Sequence, residues 1–424
     1  MFALGRGLAP RGTLWASDGV VIVHTMATLA VIQDGWDDST LWDGFSRFVP
    51  RLSWKDGYLL REMPTDRAVA VAKALPQASG DAQLVIQAHR DSSHRVILDP
   101  EAWRNQESPR HRTASFRALG GAVCLSRALD PAALRFSSAG ALIAYTLGFA
   151  NAEAARGADA VVTPCHLAGG YGSAGREGEL RLAEVAVELA RRQGITQRGD
   201  VEKPLLTGIA LDAPQVADVE SAVALARSYA GLSADGYWVQ VANLTELSSP
   251  ALVANCSAFL HALQELSGGR VFAVDVKNLV WPLLAGGLFG ACLGIGEREG
   301  WQGPGGRSTE RRPLKPTVVH PELLRNFVAS GADARRAFCE YPCECGAHDR
   351  EMVPADRRSI RRHALRVRLL MAESATGAGA VAAVEGWLSE ATWAAADLGL
   401  DQPRSDAYRA ALAAGTSWRT AGTG

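Results

Sequence analysis

The decapeptide CEYPCECGAH, residues 339–348, sets three cysteines and a histidine within ten positions. Thiolates and imidazoles this close together suit a tetrahedral zinc ion, because one turn of chain delivers several ligands with little entropy to lose. Cys343, Cys345 and His348 form the kernel, with Pro342 and Gly346 shaping the turn. The fourth ligand is either Cys339 or His363, the latter inside the helical pattern RRSIRRHALRVRLLMA. Four protein ligands make such a zinc structural rather than catalytic.

A second set of reactive side chains falls where apolar runs end. Asp99, Cys165 with His166, Asp212, Asn243, Asp275 with Lys277, and Glu297 each close or follow a strand-like run. In a parallel barrel, chemistry gathers where strands end and the following loops begin. Asp99 and Asp275 are the candidate acids; Cys165, His166, Asp212, Asn243, Lys277 and Glu297 are the candidate substrate contacts. FAVDVKN puts Asp275 and Lys277 at period two, which suits an acid–base pair or a plain ion pair. Glu297 and Glu299 follow the last strand and suit a cation better than an anion. GGYGSAG (169–175) spells a dinucleotide fingerprint, but the next strand-end acid, Asp212, lies far beyond the roughly 20 residues that motif needs. It reads instead as a loop over the mouth.

The elements that must hold these groups alternate. Strand-like runs at 121–127, 158–166, 204–212, 235–243, 270–278 and 289–295 are near-continuously apolar, as parallel strands covered on both faces are. Helical periodicity separates them at 137–157, 178–194, 216–231 and 249–266. Runs at 19–25, 82–90 and 95–100 offer further strands. The expectation is an α/β chain, first a (β/α)8 TIM-type barrel and second a doubly wound open sheet. Residues 1–301 form the barrel with an irregular start, 302–338 a linker or long loop, and 339–424 a zinc-binding helical subdomain. Within the last, helices are expected at 356–373 and 378–396, and a frayed tail after them.

One uncharged run of 18 residues, 279–296, has the minimum length of a membrane span. Pro282 and clustered glycines punctuate it, so it reads as a short buried helix (280–287) and a buried strand (289–295), with no membrane partner. Net charge is −1, which excludes a global field for nucleic acid. Arg358, Arg361, Arg362 and Arg366, with Arg368, nevertheless concentrate on one helix, where they form either a phosphate footprint for RNA or DNA or a solvated face. The start of the chain lacks a signal-peptide pattern, and cysteines outside the cluster are scattered singly, which fits reduced thiols and a cytoplasmic protein.

A C-x-C-x-x-H knot and a helix bearing His363, both after a (β/α) pattern, resemble the tRNA-guanine transglycosylase superfamily over about residues 95–390. The resemblance implies zinc ligands at Cys343, Cys345, His348 and His363. RVILDPEAWR is similar to the strand that ends in the family's general base, which implies that role for Asp99. In ADAVVTPCH, Thr163 stands where the family has a guanine-reading aspartate, and Cys165 remains. Ala210, Leu211 and Asp212 replace an expected base-binding glutamine and glycines, and Ala291 replaces the nucleophilic aspartate before Cys292. The resemblance thus implies a transferase-like barrel acting on or binding a nucleobase or nucleoside in nucleic acid, with diverged chemistry, structural zinc and a homodimeric habit. Two other classes stay open: a non-catalytic zinc-containing module that binds nucleic acid or protein, and a barrel lyase or hydrolase unrelated to bases.

Overall fold

A computed structural model describes residues 158–167, 172–194, 201–295, 316–350, 356–401 and 405–422, with shorter pieces between 42 and 147 and at 197–198, 352–354 and 403. Eight strands form one sheet in which each pairing is parallel. They are β1 (Phe48–Leu52), β2 (Val69–Ala72), β3 (Val96–Asp99), β4 (Val161–Val162), β5 (Leu205–Asp212), β6 (Gly236–Ala242), β7 (Arg270–Val274) and β8 (Gly290–Gly294). Their order across the sheet is β3-β2-β1-β8-β7-β6-β5-β4. One more parallel bridge, Ile97 with Ala160, and the Asp159 N–H donating to the Val96 carbonyl at 2.8 Å, bring β4 beside β3. The architecture is therefore α/β with a curled parallel sheet.

Side-chain alternation sorts each strand between two faces. Val49, Ile97, Val162, Leu206, Trp238, Phe272 and Cys292, from seven strands, pack together on the concave face around Trp42. Their sequence neighbours, such as Phe48, Val239, Ala273 and Ala291, pack outward in the larger core shared with the helices. Each fully buried large apolar side chain contributes about 1.5–3 kcal/mol.

Helices follow the strands in turn: α1 (Gly172–Arg192) after β4, α2 (Val219–Ala230) after β5, α3 (Pro250–Ser267) after β6, and α4 (Val280–Ala285) after β7. Their boundaries are written locally. The Asp218 carboxylate accepts the Ser221 N–H at 2.7 Å to cap α2. Ser249 accepts the Leu252 N–H and Pro250 occupies the first turn of α3. The apolar run resolves as expected into α4 and β8, and no helix among the described residues is long and apolar enough to cross a membrane.

The C-terminal part holds an antiparallel hairpin, β9 (Thr317–His320) with β10 (Arg325–Val328), then α5 (Ala332–Glu340), α6 (Arg357–Thr376), α7 (Ala380–Asp397) and α8 (Ser405–Gly422).

Four local expectations change. The stretch 302–338 is not loop throughout, since β9, β10 and the start of α5 lie in it. The tail is helical to Gly422, and α8 packs so closely on the end of α4 that a side chain at Gly415 would meet the Gly286 Cα at 2.7 Å. Helix α1 begins at Gly172, so the glycine-rich spelling runs into a helix rather than forming a whole loop. The first two strands among the described residues are FVPRL and VAVA, where Pro50 and Arg51 break the apolar pattern that marks a strand. The proposed strands 19–25, 82–90 and 121–127 lie outside the described residues.

Candidate functional site

The C-terminal ends of the strands carry a buried polar network. Arg51 sits in β1, beside Gly294 of β8 in the register, and its guanidinium reaches across the concave face. One amino group donates to Asp99 Oδ2 at 2.7 Å, and the other pairs with Asp275 Oδ2. Asp99 Oδ2 also accepts Trp238 Nε1–H at 3.2 Å and Gln240 Nε2–H at 3.1 Å. Burying a carboxylate is tolerable only when charge and hydrogen bonds compensate it, and three donors on one oxygen do so for Asp99.

The two candidate acids are thus brought together, through a residue that the strand-end reading passed over. Asp275 does not pair with Lys277. Strand β7 ends at Val274, and the chain turns through left-handed backbone at Asp275 (φ 56°) and Lys277 (φ 50°), so period two no longer applies. Asp212 and Asn243 meet each other at the rim, where Asn243 Nδ2–H donates to Asp212 Oδ1 at 2.9 Å. Glu297 lies outside the described residues.

Cys165 and His166 follow β4 and are fully enclosed. Cys165 packs with Ala210 and Ala242 and approaches Gly208, where an added Cβ would lie 3.3 Å from its sulfur. Burial, then the nearby Glu179 and Asp99 charges, push its thiol well above the ordinary value, so it is no thiolate. His166 Nε2 shares a 2.7 Å hydrogen bond with the Tyr145 hydroxyl, and the His166 backbone N–H donates to Glu179 Oε2 at 3.0 Å. Burial drives the imidazole down to about 3 and raises the Glu179 carboxyl well above its usual range. Burial thus favours the neutral form of each, and both groups shape the wall.

The second site is the thiol cluster. Cys343 and Cys345 Sγ and one ring nitrogen each of His348 and His363 all lie within 4.8 Å of one another, and this quartet can hold a metal ion. His363 Nδ1 is 3.3 Å from Cys345 Sγ, 3.9 Å from Cys343 Sγ and 2.9 Å from His348 Nε2. Cys339 is exposed on α5 and outside the quartet, so the choice of fourth member falls on His363.

The local chain explains the convergence. Gly346 takes a left-handed φ of 70°, turning Cys345 and His348 toward one point, and the Cys343 N–H donates to the Arg350 carbonyl at 3.0 Å to close the loop. Asp356 caps α6 by accepting the Arg358 and Ser359 N–H groups, which fixes the helix that carries His363. The Phe338 ring lies 5.6 Å from both the His348 and His363 rings and excludes water from one side. Contact with Cys343, then with His348, His363 and the Ala347 N–H, holds the Cys345 thiol far below the ordinary thiol range. Sharing that proton, and burial, push Cys343 up.

No family model matches the chain, and none of the curated proteins does.

The arginine helix divides by depth. Arg358 and Arg366 are exposed, Arg361 and Arg362 half-buried, and Arg368 is 1% exposed. Arg358 stacks over the Tyr58 ring at 4.6 Å. Arg368 Nη1 donates to the Gly294 carbonyl at the end of β8, so it ties α6 to the strand ends. Arg47, not singled out in the sequence, does similar work by donating to the Leu284, Leu288 and Phe289 carbonyls at 2.6–3.1 Å. An arginine that caps spare carbonyls and one that waits for phosphate are written alike; only burial separates them.

Proposed function

We propose that the chain is a closed (β/α)8 barrel of the tRNA-guanine transglycosylase kind, diverged in its chemistry, which binds a nucleobase or nucleoside of nucleic acid at its strand ends. The observation that carries this reading is the Cys343–Cys345–His348–His363 quartet, whose His363 lies on the helix whose Arg368 touches the end of β8. Closure is supported by the Ile97–Ala160 bridge. Two thiols and two imidazoles suit zinc in a structural role, and His363 Nε2–H on the Val319 carbonyl at 2.5 Å leaves Nδ1 for the ion.

In this reading the polar mouth takes the base, with Asp99 and Asp275 as its acids, and Cys165 and His166 form part of the wall. The exposed Arg358 and Arg366 lie on the face offered to phosphate, flanked by Arg361 and Arg362. The parent chemistry has no support at the nucleophile position. Ala291 packs outward with the helices, and its inward neighbour Cys292 carries a thiol that burial pushes above its ordinary value. That specific observation favours a second reading, a zinc-containing binding module without catalysis.

The test is a titration of the full chain with fluorescent tRNA and hairpin DNA, followed by competition with free bases. Salt-sensitive binding that free base competes away supports base capture; base exchange into the nucleic acid separates enzyme from module. Failure to bind any base or nucleic acid overturns both.

A further inference from the structure

Within the buried network of the mouth, Gln240 donates to Asp99, Asp99 accepts from Arg51 and Trp238, and Arg51 pairs with Asp275. Its two ends are unmatched. Gln240 Nε2 is committed to Asp99, which turns Oε1 outward from that bond, and Gln240 Oε1 has no hydrogen-bond partner among the described residues. Asp275 Oδ2 is committed to Arg51, and Asp275 Oδ1 likewise lacks a partner. Gln240 is 1% exposed and Asp275 8%, so bulk water does not readily serve either acceptor. A buried acceptor left unmatched costs about as much as a lost hydrogen bond, and native proteins rarely keep two in one place without a use.

An independent feature marks the same spot. Of the four non-glycine residues with positive φ among those described, Asn243, Asp275 and Lys277 follow β6 and β7, the strands that carry Gln240 and precede Asp275. Strained backbone of this sort persists where a site over-determines it.

We infer that Gln240 Oε1 and Asp275 Oδ1 are the pair by which the mouth reads its ligand, a flat group presenting two N–H donors. Amidines, guanidines and amino-substituted azines present such donors; phosphates and carboxylates do not. Arg51 is then a positioning residue, since it holds Asp99 and Asp275 without being one of the reading atoms. Where the flat group is a base, this inference rests on the nucleobase reading above.

The probes are isocytosine, which offers an N–H beside an amino group, 4-pyrimidinone, which lacks the amino group, and benzamidine, a donor pair that is not a base. Each is titrated calorimetrically into the full chain, into Gln240→Met and into Asp275→Asn. In Asp275→Asn the Arg51 guanidinium keeps the amide oxygen, so the open position becomes a donor, and asparagine tolerates the left-handed backbone where other replacements would strain the fold. The wild-type chain should prefer isocytosine to 4-pyrimidinone by about tenfold, and each variant should lose about tenfold in isocytosine affinity together with that preference. Bases that bind the variants as well as the wild type overturn the inference and leave the nucleobase reading standing. Benzamidine binding alone, and only to the wild type, upholds the inference and removes the nucleobase reading. Binding of no probe overturns the inference, and the titration with tRNA and hairpin DNA then decides the nucleobase reading.

Discussion

His363 donates its Nε2–H to the Val319 carbonyl at 2.5 Å, and through that bond one strand of the C-terminal hairpin sets the tautomer of a histidine in the candidate metal quartet. With Nε2 protonated, Nδ1 keeps its lone pair and faces Cys345 Sγ at 3.3 Å. A ligand ring fixed from behind in this way binds metal more tightly than a free one. The hairpin, the helix and the knot are therefore one unit.

Metal analysis of the purified chain should find about one ion, with Cys343→Ser, Cys345→Ser and His363→Ala losing it and Cys339→Ser retaining it. At free metal a hundredfold above the dissociation constant, the ion adds about 2.7 kcal/mol of stability. A chelator should lower the unfolding midpoint of the wild type and leave Cys343→Ser unchanged; an equal drop in both would remove the site.

Arg51 should be worth more than its position in a short strand suggests. Arg51→Met strands the Asp99 and Asp275 carboxylates in a buried mouth, a change that typically costs about 3–5 kcal/mol. Urea unfolding measures it. A double variant Arg51→Met with Asp275→Asn should recover part of the loss, because one charge then needs no partner.

Burial of His166 and Glu179 sets opposite limbs of the pH–stability profile. His166 titrates near 6.5 when unfolded and about 3 when folded, so as pH falls below 6.5 the unfolded chain gains a proton that the native chain refuses, and stability drops. Glu179 is raised above its ordinary 4.5, so as pH rises past 4.5 the unfolded chain loses a proton that the native chain keeps, and stability drops again. The two slopes, each at most about 1.4 kcal/mol per pH unit, oppose each other as pH rises from 4.5, and below 4.5 that of His166 acts alone. Chemical denaturation across the acid range should show stability falling below pH 4.5; His166→Gln should remove that fall, and Glu179→Gln should let stability climb from pH 4.5 to 6.5.

The arginines of α6 should separate by role. Arg358→Glu and Arg366→Glu should weaken binding to tRNA or hairpin DNA and reduce the salt slope by about one per contact removed. Arg368→Ala should instead lower stability with little change in that slope, since its guanidinium serves the Gly294 carbonyl. A slope unchanged in both exposed variants would take nucleic acid away from this helix.

By itself the sequence determined what local pattern can encode. The four strands β5 to β8, the helices between them, the turn from α4 into β8 and the helices α6 and α7 were legible, because apolar runs, caps and glycines act over a few residues. So was the kernel Cys343–Cys345–His348, whose ligands share one turn. Strands β1 and β2 were not legible. Pro50 and Arg51 spoil the apolar run that would announce β1, and four residues are too few to announce β2. Nor could spelling choose His363 over Cys339, or link Arg51 to partners 48 and 224 residues away. The first choice belongs to the packing of the C-terminal helix on its hairpin, and the second to the curvature of the sheet, which sets side chains from separate strands on one concave face. Whether a polar atom finds a partner there or stays open depends on distances that no run of neighbours in the chain can specify.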